Sequence, residues 1–390
     1  MIKILFVTYD FPFPPNSGGK SRAYNLMKYA KTKGVQIYLL SFMRASFDKK
    51  WKRELYDIGV SEVGVHKRKK LKSISTISKN ILSKDSIFKT LYHDDGFKKK
   101  LLNMIEVHNI DVVHFESSYT GYYLKYVKTG KIKTILGTEN IEHLLYQDFL
   151  KTTNFIQKSI LQFQIDRFKR EEELMMKLAD LSLAVTKDEA RYIERISGKK
   201  CEVVENGISV KDLSYSFQER TIDNLIFVGN FSYMPNRGAI QYFIRDVMPK
   251  LPENITLTII GKNVSKYVEP SGRIRVKDFV SDLSVEYKNS DALIFPVKIG
   301  GGTNFKVLEA MALGVPVVGF ADKIESIGAR KNKEFFPVEN ALDFVRQIET
   351  IQNKREIVKE VTMSARKLVE ENYSWEEIGR KLNTIWKNYK

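Results

Sequence analysis

Residues 295–318 read FPVKIGGGTNFKVLEAMALGVPVV, and this stretch decides the fold of the chain. An apolar strand is predicted to end at Phe295, and three glycines then lead to a helix that starts near Thr303 and stops at Gly314. Glycine lets a backbone turn sharply and approach a ligand closely. The first turn of a helix offers unpaired N–H groups and the positive end of the helix dipole. A strand, a glycine turn and a helix in this order therefore predict a cradle for a diphosphate.

Two charged side chains lie in this predicted helix. Lys306 falls in the first turn, where a cation is unfavourable unless an anion is bound, so we predict that it is a phosphate ligand. An exposed lysine on a surface helix is the alternative. Glu309 stands in the otherwise apolar run 307–311, and it either faces solvent or meets a hydroxylated ligand.

Short, β-rich apolar runs alternate with helix-length segments through the whole chain. The runs in the first half are 3–8, 35–41, 111–115, 134–137 and 181–185, and those in the second half are 224–228, 255–260, 274–276, 292–295 and 315–320. This alternation predicts an α/β fold with two parallel sheets covered by helices, one of them over 155–178.

The polar segment 205–224 separates the two groups of strands. A boundary between domains is typical of such a segment. We therefore predict domains at 1–212 and 213–370, followed by a C-terminal helix in 371–390 that packs back on the first domain.

Length and composition narrow the class of protein. A chain of 390 residues exceeds one hydrophobic core, and 43% hydrophobic residues exclude a disordered chain. The lone Cys201 cannot form an intrachain disulfide, and the short apolar start lacks a signal-peptide cleavage site. No window reaches the roughly 18 apolar residues of a membrane span. We expect a cytoplasmic protein.

The net charge of +17 lies mainly in residues 1–200, which hold 37 Lys and Arg against 22 Asp and Glu. Cations are densest at 67–72 and 98–100, and apolar side chains such as Trp51 and Phe88 are interleaved with them. This mixture favours a surface that faces anionic lipid at the inner membrane, and solvated lysines on helix faces are the alternative. Nucleic acid is not expected, because no nucleic-acid-binding motif accompanies the charge.

The loop DFPFPPNSGGKSR at 10–22 connects the first strand to a predicted helix over 21–33. Gly18, Gly19, Lys20 and Arg22 are candidates to bind donor phosphates or an acceptor there, and a structural turn is the alternative. His114 lies near the carboxyl end of the predicted strand at 111–115, at the edge where open α/β sheets bind ligands. It is a candidate to orient a sugar or an acceptor, against a role in the core.

Metal chemistry is not predicted. Asp94 and Asp95 precede Gly96 in a lysine-rich segment, where a helix cap explains both carboxylates. No cofactor is expected either.

Five motifs together resemble one known family over nearly the whole chain. They are LEAMALGVPVV at 308–318, FVGNFSYMPN at 227–236, VENGI at 204–208, the glycine pair at 18–19 and YSW at 373–375. They are similar to the retaining GT-B glycosyltransferases of family 4. The resemblance implies two facing Rossmann-like domains, with the acceptor bound by the first domain, a nucleotide-sugar donor bound by the second, and catalysis in the cleft between them.

The resemblance also implies roles for single residues. Glu309 looks like the second glutamate of the family's Glu-x7-Glu motif, which binds the donor ribose. The first glutamate is replaced by Gly301, so the backbone N–H groups of the loop are expected to bind the donor instead. That loop consists of Gly300, Gly301, Gly302, Thr303 and Asn304.

Two further sites follow from the same comparison of motifs. The family's basic pair after Val-Gly corresponds here to Asn230, which follows Gly229, and to Arg237 after a longer loop. Arg237 is therefore a predicted diphosphate ligand. Glu139 stands where relatives often have a histidine before asparagine, so Glu139 or His143 is expected to contact the acceptor.

The expected function is that of a metal-independent retaining glycosyltransferase. It would move a hexosyl group from a nucleotide sugar to a saccharide acceptor, such as a polyprenyl-diphosphate-linked glycan of a surface polysaccharide. A GT-B phosphorylase, a nucleotide-sugar epimerase and a non-enzymatic sugar-nucleotide or nucleic-acid binding protein remain as alternatives.

Overall fold

A computed structural model describes residues 1–43, 48, 50–69, 80, 83–127, 130–150, 155–217, 222–298 and 303–389. The chain divides into two units, one formed by Met1–Asn206 with Ile378–Lys390 and the other by Gly207–Glu377. The chain passes from the first unit to the second after Asn206, which is before the predicted domain boundary at 212. The boundary lies there because Ile208 and Val210 are buried in the core of the second unit. Ile208 also forms a parallel β-bridge with Ser374. The second unit therefore extends past the predicted boundary at 370, as far as Glu377.

The first unit contains a parallel sheet of seven described strands in the order β3-β2-β1-β4-β5-β6-β7. These strands are β1 (Ile2–Thr8), β2 (Val35–Met43), β3 (Val60–Lys67), β4 (Val112–Glu116), β5 (Lys133–Gly137), β6 (Leu181–Ala184) and β7 (Cys201–Val203). The direction in which strands are added reverses between β1 and β4. Such a reversal opens a crevice at the carboxyl ends of the two strands.

Helices connect and cover these strands. They are α1 (Gly18–Ala30), α2 (Lys50–Asp57), α3 (Ile87–Tyr92), α4 (Asp95–His108), α5 (Leu124–Val127), α6 (Glu142–Leu150), α7 (Phe155–Leu178) and α8 (Lys187–Ser197). Helix α7 has the predicted bounds, whereas α1 starts three residues before the predicted 21, at the glycine pair. Asp94 caps α4 by accepting hydrogen bonds from the N–H groups of Gly96 and Phe97.

The second unit contains a parallel sheet in the order β10-β9-β8-β11-β12-β13. Its described strands are β8 (Asn224–Val228), β9 (Thr256–Ile260), β10 (Ile274–Lys277), β11 (Ala292–Phe295), β12 (Val317–Phe320) and β13 (Phe336–Val338). Strand β12 starts two residues after the predicted 315, because Pro316 has no N–H to give to a ladder. The reversal of strand order lies between β8 and β11.

The α-helices of the second unit begin with α9 (Met234–Tyr242), α10 (Leu283–Lys288), α11 (Phe305–Leu313) and α12 (Ala321–Glu325), and they continue with α13 (Ala341–Asn353), α14 (Arg355–Tyr373) and α15 (Trp375–Asn388). Helix α11 ends at Gly314, which adopts the left-handed conformation with φ of 83°.

Helix α15 returns to the first unit from Ile378 onwards. The Asn383 side chain donates to the carbonyl oxygen of Ala30 across 2.7 Å and to the Thr32 hydroxyl across 2.8 Å. Gly379 lies against the backbone of Tyr29, where a β-carbon would overlap. The C-terminal helix therefore packs on the end of α1.

Within the described part of the chain, no helix combines the length and apolar character that crossing a bilayer requires.

We expect Gly261→Ala to lower the free energy of unfolding by about 2–4 kcal/mol, measured as a shift in the urea midpoint. Gly261 follows β9 with φ of 145°, and a β-carbon there would overlap the carbonyl oxygen of Gly229. Gly238→Ala in α9 is the matched control, because a β-carbon at that position meets nothing within 4 Å. It is expected to leave stability unchanged or to raise it by up to about 1 kcal/mol. Equal midpoints for the two variants would contradict the crowding at Gly261.

Candidate functional site

A pocket of about 320 Å³ opens where the strand order of the second sheet reverses. Val228 and Phe295, the carboxyl ends of β8 and β11, form part of its wall. The other described residues that line it are Gly229, Tyr233, Asn236, Val297, Thr303, Asn304, Phe305, Lys306, Glu309 and Lys323. This is the place at which an open α/β sheet binds ligands.

Helix α11 points its N-terminus at this pocket. Its cap residue Asn304 does not cap the helix with its side chain, which donates instead to the carbonyl oxygen of Lys323 across 3.3 Å. The first turn of α11 contains no acidic side chain. The positive end of the helix dipole is therefore not neutralised from within the helix, which favours an anion there.

Lys306 is held on the pocket wall by Asn236. Its ammonium group donates to Oδ1 of Asn236 across 2.9 Å, and Nδ2 of Asn236 donates to the carbonyl oxygen of Asn230, also across 2.9 Å. The ammonium group also lies 4.7 Å from the centre of the Phe227 ring. Burial lowers the pKa of Lys306 to about 8. An anion in the pocket would draw this pKa back up.

Glu309 lies one turn after Lys306 on the same helix. The buried hydroxyl of Tyr287 donates to the carbonyl oxygen of Lys306 (3.2 Å) and to Oε2 of Glu309 (3.5 Å). Burial raises the pKa of Glu309 to about 7, although the Tyr287 hydroxyl and the Lys306 ammonium both act against the shift. A carboxyl group held in this way accepts hydrogen bonds from a hydroxylated ligand.

Gly229 makes the Asn236 contact sterically possible. A β-carbon at Gly229 would lie 2.9 Å from the Asn236 side chain. The predicted donor residues Thr303, Asn304, Lys306, Glu309 and Gly229 thus share one pocket. Gly300, Gly301 and Gly302 lie outside the described residues.

Two predicted donor-site residues, Arg237 and Asn230, are not among the described residues that line the pocket. The Arg237 guanidinium lies 4.7 Å from the centre of the Tyr267 ring, and Arg237 is not among the described lining residues. Asn230 is exposed, and its Oδ1 accepts from the backbone N–H of Ser232. Both residues are chain neighbours of lining residues, Asn230 of Gly229 and Arg237 of Asn236, but neither is itself among the described residues that line the pocket.

The crevice of the first sheet contains a buried ion pair. Nε of Arg22 donates to Oε1 of Glu116 across 2.7 Å, with the two side chains 2% and 1% exposed. Nη1 of Arg22 donates to the Glu205 carbonyl oxygen and to Oδ1 of Asn206. Burial alone would raise the pKa of Glu116, but Arg22 and His114 outweigh it and lower that pKa to about 2. Arg22 thus stabilises the end of the first unit, while its Nη2 is buried without a hydrogen-bond partner and remains available to the predicted phosphate or acceptor ligand.

His114 belongs to the same network and is 0% exposed. The Trp386 indole N–H donates to Nδ1 of His114 across 3.1 Å, so the ring proton sits on Nε2 and is donated to Glu116 (2.9 Å). Both ring nitrogens are engaged. The prediction that His114 orients a sugar or an acceptor does not fit this arrangement, and the core alternative does.

The remaining candidates of the first unit lie around the start of α1. Gly19 leaves room for Glu139 and for the Tyr9 hydroxyl, both of which a β-carbon would overlap. Burial, with a smaller contribution from Glu116, raises the pKa of Glu139 to about 7. The Lys20 side chain is 21% exposed and its ammonium group lies 4.0 Å from Oδ2 of Asp10, and α1 begins at Gly18.

His143 is buried, in contrast to its predicted contact with an acceptor. Its Nδ1 lies 2.6 Å from Oε2 of Glu172, and its Nε2 lies 3.1 Å from the Tyr192 hydroxyl. The ring therefore has partners for both nitrogens within the first unit.

Asn236, Tyr287 and Lys323 are among the residues that contribute to the site without having been predicted. Asn236 lies in the quoted motif at 227–236, but nothing local in the sequence links it to Lys306, 70 positions away. Tyr287 and Lys323 lie on helices whose packing only the fold reveals. Within the described residues, no three His, Cys, Asp or Glu side chains form a group that could hold a metal ion.

Comparison with known proteins identifies the family. Residues 16–212 match the family described as Glycosyltransferase Family 4, and residues 222–354 match Glycosyl transferases group 1. An uncharacterized 44.6 kDa protein in the cps region of Klebsiella pneumoniae is 23% identical over 97% of this chain and 98% of its own. The chain therefore belongs to glycosyltransferase family 4.

Solved structures show the same fold. HepE of Anabaena in complex with UDP is 14% identical and has a TM-score of 0.68 over 99% of this chain and 100% of its own. Sucrose-phosphate synthase of Thermosynechococcus elongatus is 14% identical, with a TM-score of 0.68 over 100% of this chain and 99% of its own. The predicted GT-B fold, with two Rossmann-like units, is confirmed.

We expect Arg22→Met to lower the free energy of unfolding by about 3–5 kcal/mol, because it leaves the Glu116 carboxylate buried without its cation. Chemical unfolding followed by circular dichroism measures the effect. Lys20→Met is the control, because the Lys20–Asp10 pair is partly exposed and its loss should cost under about 1 kcal/mol. Equal unfolding midpoints for the two variants would contradict the structural role of the Arg22–Glu116 pair.

Proposed function

We propose that this glycosyltransferase uses a nucleoside diphosphate sugar as its donor and binds it in the pocket of the second unit. The observation that carries the proposal is the convergence of the α11 N-terminus, Lys306 and Glu309 where the strand order reverses. The solved complexes of HepE with UDP and with UDP-glucose support this class of donor.

Each group has a role that follows from its chemistry. Glu309 accepts hydrogen bonds from the ribose hydroxyls. Lys306 and the N-terminal turn of α11 at Thr303 and Asn304 bind the diphosphate. As the bond between the sugar C1 and the phosphate oxygen breaks, negative charge grows on the leaving diphosphate, and preorganised cations and N–H dipoles stabilise it.

We propose transfer with retention of configuration. The acceptor hydroxyl forms its bond to C1 on the face that the diphosphate leaves, and its proton passes to the leaving phosphate oxygen. This route uses no protein nucleophile. Among the described lining residues, Glu309 is the one acidic side chain and Lys306 and Lys323 are the cations, which supports metal-independent stabilisation of the diphosphate.

The acceptor proposal concerns the first unit. We propose that Glu139, Lys20 and the start of α1 at Gly18 and Gly19 bind a saccharide acceptor, such as a polyprenyl-diphosphate-linked glycan. The relative in a cps region supports a place in polysaccharide synthesis. The acceptor would lie at the inner face of the cytoplasmic membrane, and the exposed cations of the first unit support this location.

We expect binding of one nucleoside diphosphate to be accompanied by uptake of about 0.7 proton at pH 8.5. In the free protein Lys306, with its pKa of about 8, is mostly neutral at that pH, and a bound diphosphate returns it to the charged form. Isothermal titration calorimetry with UDP, GDP and ADP, in two buffers of different ionisation enthalpy, measures the uptake.

Lys306→Arg is the matched control, because arginine stays charged and should bind without taking up a proton. Undiminished uptake by Lys306→Met would contradict the assignment.

The corresponding sugar nucleotide is then incubated with saccharide acceptors, and NMR of the anomeric proton reports the configuration. An inverted product would contradict retention, and cleavage that depends on phosphate or needs no acceptor would favour the phosphorylase or the epimerase.

We expect the protein to float with vesicles that contain phosphatidylglycerol at low salt and to remain behind with pure phosphatidylcholine. The exposed cations Arg53, Lys67 and Lys99 of the first unit are the basis, because each nearby cation contributes about 1 kcal/mol at an anionic surface. Lys99→Gln should weaken flotation, whereas Lys262→Gln in the second unit should not. Absence from both kinds of vesicle would contradict membrane association.

A further inference from the structure

One of the two phosphate groups of the proposed donor has not yet been assigned a cation in the pocket. A nucleoside diphosphate sugar carries two negative charges on its phosphates, and Lys306 supplies one cation. Arg22, which was predicted to help, belongs to the first unit, and Arg237 is not among the described residues that line the pocket. Among the described lining residues, the second cation is Lys323.

Lys323 lies beside the N-terminus of α11. Its carbonyl oxygen accepts the hydrogen bond from the Asn304 side chain across 3.3 Å, which ties α12 to the cap of α11. Glu309, Lys306 and Asn304 follow one another along α11 towards this cap. Lys323 therefore lies next to the N-terminal end of α11, and Lys306 lies between this end and Glu309 along the helix.

A neighbouring lysine is placed differently. The Lys298 ammonium group lies 4.9 Å from the centre of the Tyr242 ring and 4.6 Å from that of Phe320. Lys298 is not among the described lining residues, although it follows β11 closely. Lys323 is therefore the second lysine, after Lys306, among the described residues that line the pocket.

We infer that Lys323 binds the distal phosphate, the one bonded to the transferred sugar, and that it makes the site prefer nucleoside diphosphates to monophosphates. This inference rests on the proposed donor site. If the ribose lies at Glu309, the proximal phosphate lies near Lys306 and the distal phosphate reaches the cap of α11, beside Lys323. A lysine on a flexible stem suits this position, because its point charge can follow the phosphate as the sugar leaves.

The test compares the affinities of UDP and UMP, or of the GDP and GMP or ADP and AMP pair if that base binds. We expect Lys323→Gln to weaken binding of the diphosphate about tenfold to hundredfold and that of the monophosphate less than about twofold. Lys323→Arg should keep the diphosphate affinity within about threefold. Lys333→Gln, at an exposed position outside the pocket lining, is the control and should change neither affinity.

The possible outcomes distinguish a failure of the Lys323 assignment from a failure of the proposed donor site. Equal weakening of both nucleotides, or unchanged binding of the diphosphate by Lys323→Gln, would overturn the assignment of Lys323 while leaving the donor site in place. Failure of the wild-type protein to bind any of the nucleotides would overturn the donor site and this inference with it. Ligand-free melting temperatures of the two Lys323 variants check that any loss does not come from unfolding.

Discussion

The candidate site depends on the close approach of backbone at the ends of β8 and β9. Gly229 donates its N–H to the carbonyl oxygen of Ile260, and Gly261 lies against the Gly229 carbonyl. Because neither position carries a β-carbon, Asn236 reaches the backbone at Asn230 and holds the ammonium group of Lys306. The position of the Lys306 ammonium group on the pocket wall thus depends on the absence of side chains at Gly229 and Gly261.

Local patterns in the sequence predicted most of the fold. Strands β8 and β11 have the predicted bounds because each is a short apolar run between helix-length segments. The resemblance to family 4 is confirmed by the family matches. Strands β3 and β13 were not predicted. Strand β3 mixes polar and apolar residues, and β13 has three residues, one of which is a proline. Both strands lie at sheet edges, where a continuous apolar run is not required.

Site residues could be predicted from the sequence only where residues with suitable chemistry lie close together in one recognisable local motif. Lys306 and Glu309 lie on one helix after a glycine turn, and both reach the pocket. His114 was misread because its partner Trp386 lies 272 residues away, and that contact depends on the tertiary fold. Lys323 had no local signal for the same reason.

The contact between Trp386 and His114 also bears on the order in which the protein is made. Residues 378–388 leave the ribosome after the whole second unit, yet they complete the interior of the first. Until they arrive, Nδ1 of His114 lacks its indole donor and the carbonyl of Ala30 lacks the Asn383 amide. The first unit of the nascent chain therefore stays incomplete while the second unit, Gly207–Glu377, is synthesised, and its interior is completed only after that unit has left the ribosome.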